Sequence, residues 1–315
     1  MAVIEKDGAL RGTVANYVYR RYRNLNIIQS KPGRVRQTLN SKKSSLEFGL
    51  CCSTAKQLRT AFQPVVMGYD GSMINRLNGL VRRSVQACRS KSAGQRDLHD
   101  AELSMLQGFQ FNADSALSKV LKVRPEVSLT ADRRVRVKIP ALDRLTDIQA
   151  PARTSYYILR AMVVAFDFKK ELYCYAGHRD LLIESCTPAQ DWLMDEVVPE
   201  GRVVMVSISL HAYLTNQLTD AVSINSKNWN PAELMGCWSV PAAEGQEEAH
   251  IEWPARARVM PDGEHLFSGY VGRELLDEIR RLNEKYAKKE DRGMVYRKTE
   301  ADTFRLPVGD IRFGK

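Results

Sequence analysis

Apolar and polar positions alternate with period two near the start of the chain. In Thr13 to Tyr19, Val14, Asn16 and Val18 alternate with Ala15, Tyr17 and Tyr19, and Asn26 to Gln29 is a second β-prone run beyond the polar link Arg20 to Asn24. The pattern predicts a β-hairpin. Gly8 and Gly12 suit a tight turn before it, and Lys31-Pro32-Gly33 ends it, because proline cannot donate to a ladder. Such a hairpin is marginal alone in water, so it must pack on the body or on another chain. The period then lengthens to that of a helix. Ser41 to Phe62 places Leu46, Leu50, Leu58 and Ala61 near one face, with Gly49 in its middle and Pro64 as the stop. Ser72 to Arg89 repeats Met73, Leu77, Leu80, Val81 and Cys88 at helical spacing, with Arg76, Arg82, Arg83 and Arg89 largely opposite. Ser90 to Asp97 reads as a loop, and Ala101 to Leu106 as a short helical piece.

From Gly108 onward the pattern becomes that of strands. Arg134-Val135-Arg136-Val137-Lys138-Ile139 alternates strictly, three apolar residues inward and three cations outward, as a half-buried strand requires. Tyr156 to Phe168, Glu171 to Tyr175, Leu181 to Ser185, Arg202 to Leu210 and Leu234 to Val240 are further strands between polar turns. This succession without intervening helices predicts an antiparallel sandwich. Arg273 to Lys288 is an amphipathic helix with the stripe Leu275, Leu276, Ile279, Leu282 and Tyr286, and Asp277/Arg281 and Glu284/Lys288 are spaced to pair. The fold class is therefore α+β: a basic hairpin arm over 1–40, a helical region over 41–107, the sandwich over 108–270, and a helix with an extended tail over 271–315.

Composition adds size and location. A chain of 315 residues with 44% hydrophobic and 27% charged positions is that of a folded protein. The longest apolar stretch, Ile158 to Phe166, is interrupted by Arg160 and too short to span a bilayer, and the N-terminus lacks the features of a signal peptide. These features place the protein in the cytoplasm or in a particle assembled there. The six cysteines, at 51, 52, 88, 174, 186 and 237, are too scattered for a disulfide scaffold and read as free, mostly buried thiols. Cys174, His178 and Cys186 match no standard zinc spacing.

Charge changes the picture more. Residues 1–100 hold 18 Lys and Arg against 6 Asp and Glu, while residues 101–315 hold 29 against 31. The excess surrounds the hairpin, where Arg11, Arg20, Arg21, Arg23, Lys31, Arg34 and Arg36 interleave with Tyr17, Tyr19 and Tyr22. Cations suit phosphates and the rings suit bases, so the composition fits a nucleic-acid-binding arm. It equally fits a strand edge defended by Lys and Arg against unwanted pairing. Asp191, Asp195, Glu196 and Glu200, and Glu244, Glu247, Glu248 and Glu252, form acidic clusters in loops of the strand-rich body. An arm reaching such loops on a neighbouring subunit would build a ring or filament.

No catalytic constellation stands out. His178-Arg179-Asp180-Leu181 imitates a kinase catalytic loop, but the glycine-rich loop, strand lysine and Asp-Phe-Gly it would need are missing, so it reads as a turn between strands. Phosphate-cradling, nucleophile-elbow and His-Glu-x-x-His motifs are missing too, and His99, His178, His211, His250 and His265 are far apart. The sequence points to no enzyme, cofactor or metal.

Gly8-x-x-x-Gly12-x-Val14, Ser30-Lys31-Pro32 and Thr38, continued through the helix ending at Phe62 and Gly108-Phe109-Gln110-Phe111-Asn112, resemble an uncharacterised family of Bacteroidota proteins. The resemblance covers about the first 140 residues. It implies a small N-terminal β element, a helical segment and an immunoglobulin- or fibronectin-like sandwich, and it supplies no catalytic residue. This chain departs from the family in its longer C-terminal half. The expectation is a non-enzymatic structural subunit that self-associates through its terminal arms into a ring, filament or phage-like particle, with nucleic-acid binding by the basic front as the alternative.

Overall fold

A computed structural model of the chain describes residues 2–22, 25–31, 33, 37–66, 70–149, 151–215, 221–242 and 263–291. The chain divides into two compact units, 1–42 and 43–315. The first is a four-stranded antiparallel meander: β1 (Ala2–Ile4), β2 (Leu10–Val14), β3 (Tyr17–Tyr22) and β4 (Leu25–Ser30), in that order. The expected hairpin is thus four strands rather than two. Thr13 to Tyr19 is split by a turn at Ala15, which takes φ 49°, and Arg20 to Tyr22 belongs to β3 rather than to a link.

Helices α1 (Leu39–Ala61), α2 (Gln63–Val66) and α3 (Met73–Ala87) follow, then β5 (Phe109–Gln110), α4 (Leu117–Val120), β6 (Glu126–Leu129), β7 (Val135–Ile139), β8 (Leu142–Asp143) and α5 (Arg144–Asp147). The chain continues through β9 (Tyr156–Asp167), β10 (Leu172–Ile183), β11 (Cys186–Thr187), β12 (Gln190–Leu193), β13 (Val203–Leu214), β14 (Val222–Ser223), β15 (Ala232–Ser239), β16 (Glu264–Leu266) and α6 (Gly272–Asp291). The architecture is α+β with antiparallel sheets. The largest sheet has the order β16-β10-β9-β13-β15-β5, with β14 paired to β13, and the smaller ones are β12-β7-β6 and β11-β8.

The central strands of the large sheet, β9, β13 and β15, are buried on both faces. On β9, Met162, Val164 and Phe166 join a core that includes Leu58, Ala61 and Phe62, and Leu77, Val81 and Val85 of α3. The alternate residues Tyr157, Leu159, Ala161, Val163 and Ala165 join a second core with Val135, Val137 and Ile139 of β7 and Trp192 of β12. The strict alternation of β7 survives, with its two interior cations exposed.

Two expected strands are one. β10 continues through His178-Arg179-Asp180-Leu181, which lies inside the strand rather than in a turn. The interruption is a register shift between Tyr175 and His178, where Gly177 takes φ 124°. The expected Ala101 to Leu106 piece holds a 3-10 turn over Leu103–Leu106, and a further 3-10 turn, Leu98–Asp100, precedes it, capped by Asp97, whose side chain accepts from the His99 N–H at 2.8 Å.

Helix α6 explains Gly49 in the middle of α1. A Cβ there would lie 3.3 Å from Leu275 Cδ1, so glycine lets α6 approach α1 closely. On the same stripe, Ile279 is fully buried and reaches Gly94, where Arg280 Nε also donates to the Gly94 carbonyl at 3.2 Å. Asp277 pairs with Arg280 at 3.3 Å instead of the expected Arg281. The Lys288 side chain and the tail from 292 onward lie outside the described residues.

Candidate docking surface

Residues paired directly across an antiparallel ladder point to the same face of the sheet. In the N-terminal unit the registers Ala2↔Gly12↔Tyr19↔Ile28 and Val14↔Tyr17↔Ser30 therefore place Ile4, Leu10, Val14, Tyr17, Tyr19, Arg21 and Ile28 on one face. Val3, Arg11, Thr13, Val18, Arg20, Tyr22, Leu25 and Ile27 share the other. Neither face is covered enough to form a core. Ala9 is the one buried apolar residue among the described residues of the unit, whereas Val3, Ile4, Leu10, Val14, Tyr17, Tyr22, Leu25 and Ile28 range from 40% exposed at Leu10 to 71% at Ile4. A shallow hollow lined by Ile4, Glu5, Lys6 and Asp7 marks the β1–β2 turn.

The unit carries nine Lys and Arg against Glu5 and Asp7 alone. Both carboxylates are engaged, Glu5 with Arg11 at 2.9 Å and Asp7 with Arg21 at 3.4 Å. Arg20 has no ion pair among the described residues. Of the residues expected to bind a partner, Tyr17, Tyr19 and Arg21 share one face and Arg11, Arg20 and Tyr22 the other, with Lys31 just beyond β4. Arg23, Arg34, Arg36, Glu244, Glu247 and Glu248 lie outside the described residues, as does Glu252. Reading the sequence does not single out the exposed Val3, Ile4, Leu10, Leu25 and Ile28; their signal is that β-prone apolar residues occur in a segment too short to bury them.

The first acidic cluster is exposed, and three of its four carboxylates are paired within the chain. Asp191 lies in β12 rather than in a loop and makes a two-pronged pair with Arg136 at 2.7 and 2.6 Å. Asp195 pairs with Arg179 at 3.3 Å and Glu200 with Arg133 at 2.7 Å. These carboxylates are already matched within their own chain.

A second polar cluster lies on the large sheet, positioned by the register Ser209↔Arg160↔Asp180 across β13, β9 and β10. Arg160 binds Asp180 through two hydrogen bonds, at 2.8 and 2.7 Å, which hold the carboxyl below its usual range. His211 Nε2 lies 2.9 Å from Ser209 Oγ. Burial, and then the Arg160 charge, push the imidazole down to about 4. A serine bonded to a neutral histidine is the arrangement of an activated nucleophile. Here Ser209 is only 1% exposed, which leaves its hydroxyl no open approach for a substrate. Neighbouring Ser207 Oγ is buried without a hydrogen-bond partner.

Cys174 contacts Arg202 at 3.1 Å and Cys186 donates to Asp143 at 3.2 Å, so the two are directed to different partners. No group of three His, Cys, Asp or Glu side chains among the described residues converges at metal-ligand geometry. All six cysteines are free, but only Cys51 and Cys237 are buried, and Cys186 is exposed, against the expectation of mostly buried thiols. No helix among the described residues is long and apolar enough to cross a membrane.

No family model, no curated protein and no solved structure matches the chain. The resemblance of its front to the Bacteroidota family rests on the short motifs alone.

Proposed function

We propose that the chain is a non-enzymatic structural subunit that self-associates through its N-terminal sheet, as the repeating unit of a ring, filament or phage-like particle. One observation carries the reading: a 42-residue unit of four strands with, among its described residues, one buried apolar residue and eight large exposed ones. A small sheet with so little covered apolar surface is marginal alone, and joining further strands on assembly stabilises it. We read the second core, shared by the large sheet and β12-β7-β6, as that of a sandwich-like body.

The measurement is sedimentation velocity on the full chain and on a variant carrying Ile4→Ser, Tyr17→Ser and Ile28→Ser, all on one exposed face. The assembled fraction falls in the variant while the far-ultraviolet spectrum of the body is kept. Equal assembly of the two proteins removes the reading.

The alternative, a nucleic-acid arm, is favoured by Arg20 and Tyr22 side by side on one face. It requires binding to single- or double-stranded polymers that weakens steeply with salt and weakens further in Arg20→Gln.

A further inference from the structure

We propose that β4 is a pairing edge: two copies of this chain join their β4 strands antiparallel about a two-fold axis at Ile28, so that two four-stranded sheets become one of eight strands. The proposal rests on the self-association reading and adds the strand, register and symmetry of one contact, which by itself closes a two-fold dimer, the unit from which a larger assembly would be built.

The hydrogen-bond phase of the sheet defines the edge. The Lys31 N–H donates to the Asn16 carbonyl at 2.6 Å, continuing the β3–β4 register Tyr17↔Ser30. Bonded and non-bonded pairs alternate along an antiparallel ladder. Gln29, Ile27 and Leu25 therefore direct their backbone groups to β3, while Asn26, Ile28 and Ser30 direct theirs outward from the last strand of the sheet. That outward row is undefended. Natural sheets protect edges with charge, proline or bulges, yet Leu25-Asn26-Ile27-Ile28-Gln29-Ser30 has no charged residue and no proline, and its register is unbroken.

The same row favours a second copy as the occupant. A two-fold at Ile28 sets Ile28 against Ile28 and Asn26 against Ser30 of the second copy, so all three outward residues of each strand find outward partners, giving about six backbone hydrogen bonds. The row Gly12–Tyr19–Ile28 then runs on across the joint into the same row of the second copy. The opposite edge offers less. β1 has three residues, and the Glu5 N–H bond to the Ala9 carbonyl at 2.8 Å fixes a phase in which only Ala2 and Ile4 face outward.

Charge selects edge over face. Edge pairing keeps the arginines of the two β3 strands three strand spacings apart, about 14 Å, beyond the ~8 Å screening length of physiological salt. Stacking the sheets would bring the faces to about 10 Å.

The test uses full-length protein with Ile28→Cys or Ile27→Cys under mild oxidation, with the unsubstituted chain as the baseline for its native cysteines. In this register the Cα atoms of the two substituted Ile28 positions are about 5.5 Å apart, within disulfide reach. Ile28→Cys gives a covalent dimer well above baseline, and Ile27→Cys, which stands opposite Gln29, does not. A further variant, Ile28→Pro, removes an N–H that β3 does not use; it keeps the fold and raises the dimer dissociation constant by about tenfold or more. If the unsubstituted chain assembles but Ile28→Cys stays at baseline, or Ile28→Pro assembles normally, the β4 edge is wrong and self-association stands. A monomeric unsubstituted chain overturns both.

Discussion

His211 shows how one buried side chain makes stability depend on pH. Burial beside Arg160 lowers its folded value to about 4 from 6.5, so the native state resists the proton that the unfolded chain accepts. The stabilisation is complete above pH 6.5 and is lost as pH falls from there towards 4, by roughly 3 kcal/mol in total. His211→Gln keeps a polar partner for Ser209 and removes the titration. Its urea midpoint changes less than that of the natural chain between pH 7 and 4.5; equal changes would contradict this account of His211. Two glycines give opposite predictions. A Cβ at Gly94 would stand 2.6 Å from Ile279 Cγ2 with φ +90°, whereas one at Gly79 in α3 meets nothing within 4 Å. Gly94→Ala destabilises by roughly 1–3 kcal/mol, and Gly79→Ala stabilises by roughly 0.5–1 kcal/mol, both readable from urea unfolding.

At the scale of elements, legibility follows how each one is buried. β7 is readable in the sequence because one face meets the core and the other water, giving period two. β9 and β13 are covered on both faces, so their boundaries are legible only as long apolar runs. β10 reads as two strands because its polar residues and the Tyr175–His178 irregularity imitate a turn. The N-terminal meander is obscured for the reverse reason: its turn uses Ala15, with no glycine or proline to announce it. The Ser209–His211 contact joins alternate residues of β13 and goes unread because the expected strand stops at Leu210, while the exposure of Ile4 and Ile28 depends on packing that the residue pattern does not encode. The same distinction sets energies on β7. Ile139→Ala, at a site 1% exposed, costs about 2–5 kcal/mol, while Arg136→Ala, which breaks an exposed ion pair, costs far less because solvent screens the pair. Comparable losses in thermal or urea unfolding would mean that β7 is held by its surface pairs rather than by its core face.

At the scale of the whole molecule, the net charge of +10 is concentrated in the first unit, where nine cations face two carboxylates. Copies joined through that unit repel one another, and salt relieves the repulsion. Self-association through backbone pairing of the β4 edges therefore strengthens between about 50 and 300 mM salt, whereas capture of nucleic acid, or of acidic loops on a neighbour, weakens over that range. The most direct measurement is the molar mass of the full chain by static light scattering over micromolar concentrations and this salt series. The account predicts a multiple of the 35.7 kDa subunit mass that grows more populated with salt. A constant 35.7 kDa at every concentration and salt would contradict it.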